Sequence, residues 1–194
     1  MNLSLTRTQV FIAVAGTALL LIGIGSLWSY GFGVEILPCL WRWTDVVYGL
    51  IIGTVITAIS QFLYHHWGLY RRSADDYLHL VLSPLQPWDL LWLGILPSIS
   101  EEFLFRGVIL PHLGMNSLGI GITSVIFGTL HMSSWRHLPY TLWAMIVGVG
   151  LGVATVITHN LLPVIIAHAL TNSLSGYFWQ RYQAQANLDQ NSPP

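Results

Sequence analysis

The chain has no lysine, one cysteine (Cys39) and few charges of either sign: 7 arginines and 8 acidic residues in 194, or 8%. An ordinary soluble domain carries about 25% charged residues. With no lysine and a net charge of -1, the surface has nothing to neutralise phosphates, which excludes a nucleic-acid binder. One cysteine excludes a disulfide framework and any multi-cysteine zinc or iron–sulfur site. The low hydrophobicity and high net charge of a disordered chain are absent too. What the chain does have is 54% hydrophobic residues, 18 glycines and a mean hydropathy of +0.62. Glycine is commoner in membrane helices than in soluble ones. The composition is that of an integral membrane protein.

The rare charges mark the loops. No charged residue lies between Arg7 and Glu35, and Val10–Gly33 reads as a first span, too evenly apolar for a cleaved signal peptide. Asp45–Tyr64 is a second, closed by His65, His66 and Arg71-Arg72. A polar loop follows to Asp89, the longest hydrophilic connection in the chain. Leu90–Leu110 is a third span, interrupted by Glu101, Glu102 and Arg106, and Asn116–Met132 a fourth. His137–Gln180 carries no Asp, Glu, Lys or Arg and is long enough for two crossings of about 20 residues, broken at His159-Asn160.

The expectation is an all-α, polytopic integral membrane protein of about six transmembrane helices. An uncharged run of this length satisfies its own backbone only as helix, and no repeated period-2 alternation suggests a barrel. Residues 1–87 hold two helices and the polar loop, 88–178 the chemistry-bearing segment, and 179–194 a polar tail, disordered from Gln183. Arg7, Arg71, Arg72, Arg136 and Arg181 fall on one side and Arg42 on the other, which places both termini in the cytoplasm. Trp28, Trp41, Trp43, Trp67, Trp88, Trp135 and Trp179 fall at span ends, as interfacial anchors would.

Six spans suit a transporter, a scaffold or an intramembrane enzyme, so the buried polar residues decide. A carboxylate at a helix centre costs about 2.5–3.5 kcal/mol on insertion scales, and Glu101 and Glu102 stand in succession. Glu102 and Arg106 are four apart and can pair. Glu101 lies about 100° round the helix and faces elsewhere. His168 and Asn172, also four apart, point into one pocket. With His131 they offer a carboxylate, two imidazoles and an amide. That set suits hydrolysis by a glutamate base, and it also suits a divalent metal such as zinc, held by Glu101, His131 and His168. No histidine is followed by Glu, so H-E-x-x-H is absent, and so is G-x-S-x-G.

Glu101-Glu102-x-x-x-Arg106, Phe127-x-x-x-His131 and His168-x-x-x-Asn172, in that order on successive helices, resemble the type II CAAX prenyl endopeptidase family, also called CPBP or ABI intramembrane proteases. The resemblance covers residues 88–178 and includes Gly107 and the glycines at 148, 150 and 152. It implies that Glu101 and His131 activate water, that His168 and Asn172 hold the oxyanion, and that Glu102 and Arg106 hold the helix and tune Glu101, with Phe127 supporting. It also implies a membrane-bound or lipidated peptide or protein as substrate, in contact with the lipid bilayer. Family members have been described both as metalloproteases and as metal-independent glutamate proteases.

Two other classes compete: a catalytically silent, immunity-type interaction protein, and a proton-coupled transporter using Glu101, His131 and His168 as a relay. Inverted repeats and broken helices, common in transporters, are not visible. At about 1.5 Å per residue, Glu101 lies about 18 Å from Asp89 and His168 about 20 Å from Arg181, so their depths agree. His131 is shallower, about 8 Å from Arg136. These depths predict a water-filled funnel entered from the arginine side, with loop 65–89 near its rim.

Overall fold

The computed structural model describes residues 5–132 and 134–191. The protein is an all-α membrane protein, and no strand occurs among the described residues. Helix α1 (Arg7–Phe32) starts in a capping box, Thr6 with Gln9, and stops at Gly33, whose φ of 63° suits a residue without Cβ. Helix α2 (Trp43–His66) follows, then α3 (Gly68–Leu82) and α4 (Asp89–Glu102). α4 runs without a break into a π-helical segment (Phe103–Ile109) and the short α5 (Leu110–Leu113). α6 (Ser117–Thr129), a 3-10 turn (Trp135–His137), α7 (Leu138–Thr158) and α8 (Leu162–Asn191) complete the chain. Three stretches are long and apolar enough to cross a membrane by length and composition: Arg7–Phe32, Trp43–His66 and Trp135–Thr158.

Helices form at all six expected apolar segments, and three expectations need correction. The polar connection after Arg71 is not a loop but the amphipathic helix α3, which buries Tyr70, Ser73, Ala74 and Leu82. The polar tail from Gln183 continues α8 to Asn191. Residues 183–191 contain neither Gly nor Pro to stop a helix; the final three lie outside the described residues. Trp179, expected at the interface, is only 5% exposed, and its Nε1 donates to Asp75 (2.9 Å).

Close approach of the backbones sets the site. A Cβ on Gly53 would lie 2.8 Å from Ala167 O, and one on Gly49 2.7 Å from Pro163 O. This Gly-x-x-x-Gly face of α2 therefore seats α8 backbone to backbone. On the other flank of α8, a Cβ on Gly94 of α4 would meet Ala169 O at 2.8 Å. His168 is thus held between two helices packed at glycine distance.

The six apolar helices alternate in direction, so the bundle has two distinct ends. At one end Arg7 grips Asp89 through two contacts of 2.7 Å, and α3 is tied down. Asp75 accepts from Tyr64 Oη (2.6 Å) and Trp179 Nε1 (2.9 Å), while Ser73 Oγ accepts from Tyr140 N (3.2 Å). At the other end, Asn160 Oδ1 accepts from Leu40 N (2.8 Å). Its Nδ2 donates to Leu40 O (2.7 Å) and Asp45 Oδ2 (2.6 Å).

Candidate active site

Glu101 and Glu102 close α4, and the chain then widens into π turns. Such turns are rare and frequently occur at functional sites. Pro111 has no N–H to offer Gly107 O, and the amide of Leu37 fills the place at 3.0 Å. The widened segment is therefore anchored from outside its own helix.

Glu102 is sealed. Its side chain and that of Arg106 have no exposed surface. Glu102 Oε1 accepts from Arg106 Nη1 (2.9 Å) and from His168 Nδ1 (2.7 Å). Arg106 Nη2 donates to Gly148 O (3.0 Å), and the guanidinium lies 4.5 Å from the centroid of Phe127, a cation–π arrangement. The expected Glu102–Arg106 pair is present, but the residue it touches is His168 rather than Glu101.

Glu101 is open. Its side chain is 17% exposed, and Oε2 stands 3.9 Å from His168 Nε2. That oxygen has no hydrogen-bond partner among the described residues. The Glu102 carboxylate takes the Nδ1–H of His168, so the second ring nitrogen faces Glu101. His131 is oriented in the same way: its Nδ1 lies 3.0 Å from Phe127 O. A carbonyl can only accept, so Nδ1 carries a hydrogen, and in the neutral ring the lone pair is on Nε2. The Phe127 ring stands between the histidines, 5.0 Å from His131 and 5.8 Å from His168.

Glu101, His131, His168 and Asn172 line one cavity of about 520 Å³. Along α8 it reaches Arg181 and Gln185, seventeen residues or about 26 Å beyond His168. Tyr70, Tyr77 and Leu82 of α3 form part of its wall. The cavity therefore runs from the site to the bundle end that carries Arg7, Asp89 and α3. Among the described residues, no three His, Cys, Asp or Glu side chains are placed to hold a metal ion. The set Glu101, His131 and His168 considered for zinc does not form such a group.

Sequence reasoning missed two residues beside His131. Tyr77 of α3 stacks on Tyr140 of α7 with centroids 5.0 Å apart, and each ring lies 6.3 Å from that of His131. Burial first, and then the charge of Glu101, pushes the Tyr77 hydroxyl up to about 12, so it stays protonated. The signal was the helical spacing of Tyr70, Ala74, Tyr77 and Val81 inside the polar stretch.

Residues 83–174 match the family model described as type II CAAX prenyl endopeptidase Rce1-like. No curated protein and no solved structure matches the chain. The matched segment contains Glu101, Glu102, Arg106, Phe127, His131, His168 and Asn172, and excludes α1, α2 and α3. The family is one of CAAX proteases, intramembrane endopeptidases in general character.

Proposed function

We propose that the chain is an intramembrane endopeptidase that hydrolyses a peptide bond in a membrane-bound or lipidated peptide or protein, with Glu101 as the base that activates water. The observation that carries this reading is the contrast between adjacent glutamates. Glu102 Oε1 is spent on Arg106 and His168 and its side chain has no exposed surface, whereas Glu101 lines the cavity with Oε2 beside the Nε2 of an oriented histidine. The family match supports the endopeptidase part of this reading.

In this mechanism Glu101 takes one proton from water as the water oxygen bonds to the scissile carbonyl carbon. His131 Nε2 accepts a hydrogen bond from the same water and fixes its direction. The carbonyl electron pair moves onto oxygen, where Nε2–H of a doubly protonated His168 and the side-chain amide of Asn172 hold the oxyanion. Glu101 then passes its proton to the amide nitrogen. The C–N bond breaks, giving an amine and a carboxylic acid that ionises.

The test uses protein in lipid nanodiscs and a fluorogenic peptide with a farnesylated cysteine before its last three residues. It also compares membrane peptides accumulated by wild-type and Glu101→Gln cells. Glu101→Gln should slow cleavage about a thousandfold, within the usual range for a lost general base. Cleavage that survives the substitution, or identical peptide sets with no cleavage by wild type, would overturn the reading. The arginine bias favours a cytoplasmic cavity end. A C-terminal reporter should then be active there, and one fused near Gly114 on the other side; the reverse pattern would refute it.

A further inference from the structure

Two hydroxyl groups in the cavity have no work inside the protein. Neither Tyr77 Oη nor Tyr140 Oη has a hydrogen-bond partner among the described residues, although both line the cavity. Both share the cavity with Glu101. The rings themselves are fixed. Tyr140 stacks between Tyr77 at 5.0 Å and Tyr70 at 6.2 Å, and its backbone N–H is tied to Ser73 of α3. Two rigidly held hydroxyl donors that line the cavity beside an imidazole can serve recognition as well as packing.

We infer that Tyr77 and Tyr140 form a clamp that donates two hydrogen bonds to a backbone carbonyl of the substrate, one residue removed from the scissile bond. The ligand group follows from the charges. Glu101 repels an anion at this place, and the nearest buried cation, Arg106, is sealed by Glu102 and Gly148. Arg181 lines the same cavity nearer its mouth, about 20 Å along α8 from His168. A neutral carbonyl fits the clamp, whereas a free terminal carboxylate does not. Tyr77 lies outside the matched segment 83–174, so α3 completes a site that the matched segment alone leaves open. The inference rests on the peptidase reading, since it takes the scissile carbonyl to lie at Glu101 and His168.

Binding of the farnesylated peptide is measured by fluorescence anisotropy in the Glu101→Gln background, where turnover does not interfere. Tyr77→Phe and Tyr140→Phe should each weaken binding about fivefold, the range of one lost hydrogen bond. Each keeps its ring, and thermal melting reports whether the variant is folded. Two further peptides replace the carbonyl before or after the scissile bond by a methylene group. One of them should lose affinity for the Glu101→Gln protein, and none of that loss should appear once both tyrosines are phenylalanine. Equal losses with and without the hydroxyls would overturn the clamp. In the Glu101-containing protein, cleavage with unchanged binding by both tyrosine variants refutes the clamp and spares the peptidase. Weakened binding without cleavage by wild type does the reverse.

Discussion

The two ends of the bundle are built on opposite plans. The end holding Asn160 is closed by direct polar contacts: one side chain satisfies both backbone groups of Leu40 and reaches Asp45, and Leu37 fills the carbonyl left by Pro111. The end holding α3 is tied around its margins, by Arg7–Asp89, by the contacts of Asp75 and by Ser73 with Tyr140. Between those ties lies the cavity. A bilayer enzyme must keep its frame dry and its reactants wet, and here the two tasks are separated along the helix axis. The divide passes between Glu101 and Glu102.

The comparison is sharpest in folding energy on the closed side. Arg106→Ala leaves Glu102 buried without its cation, at a cost of about 3–5 kcal/mol. Asn160→Ala removes the partner of buried Asp45 and of both Leu40 backbone groups, at about 1–3 kcal/mol. Glu101→Gln, on the open side, should leave the amount and melting temperature of membrane-extracted protein nearly unchanged. Similar losses from Arg106→Ala and Glu101→Gln would erase the proposed divide.

The smallest effect belongs to the open end and is set by pH. Arg7 holds the Asp89 carboxyl below the usual carboxylate range, chiefly by hydrogen bonding. A depressed folded value means that the stabilisation is complete above the unfolded value, about 4. It disappears as pH falls through the lower folded value. Because Arg7 is half-exposed, the effect should be modest. Melting temperature followed from pH 7 to pH 3 should fall further for wild type than for Asp89→Asn. Parallel curves would show that this tie does not hold the end.

Much of this was legible in the residues, for unequal reasons. Apolar helices facing lipid cannot carry charge cheaply, so the gaps between arginines outlined them directly. The same cost made Glu101, Glu102 and Arg106 conspicuous. Helix α3 was hidden because Arg71, Arg72, Asp75 and Asp76 suggest a solvated loop unless their helical spacing is weighed. The stacking of Tyr77 on Tyr140 joins residues far apart in the chain, and no local pattern announces it. The partner of Glu102 could not be read either, since spacing along one helix reveals Arg106 but not His168 on another.

The widened turns after Glu102 act as a rotational setting. Were Phe103–Ile109 shortened by one residue to form regular α-helix, everything before it would turn by about 100° relative to everything after it. Glu101 would then swing away from the cavity, while Gly107 O stayed tied to the amide of Leu37. The irregularity is a phase offset between two helical halves, one aimed by the closed end of the bundle and the other by the chemistry.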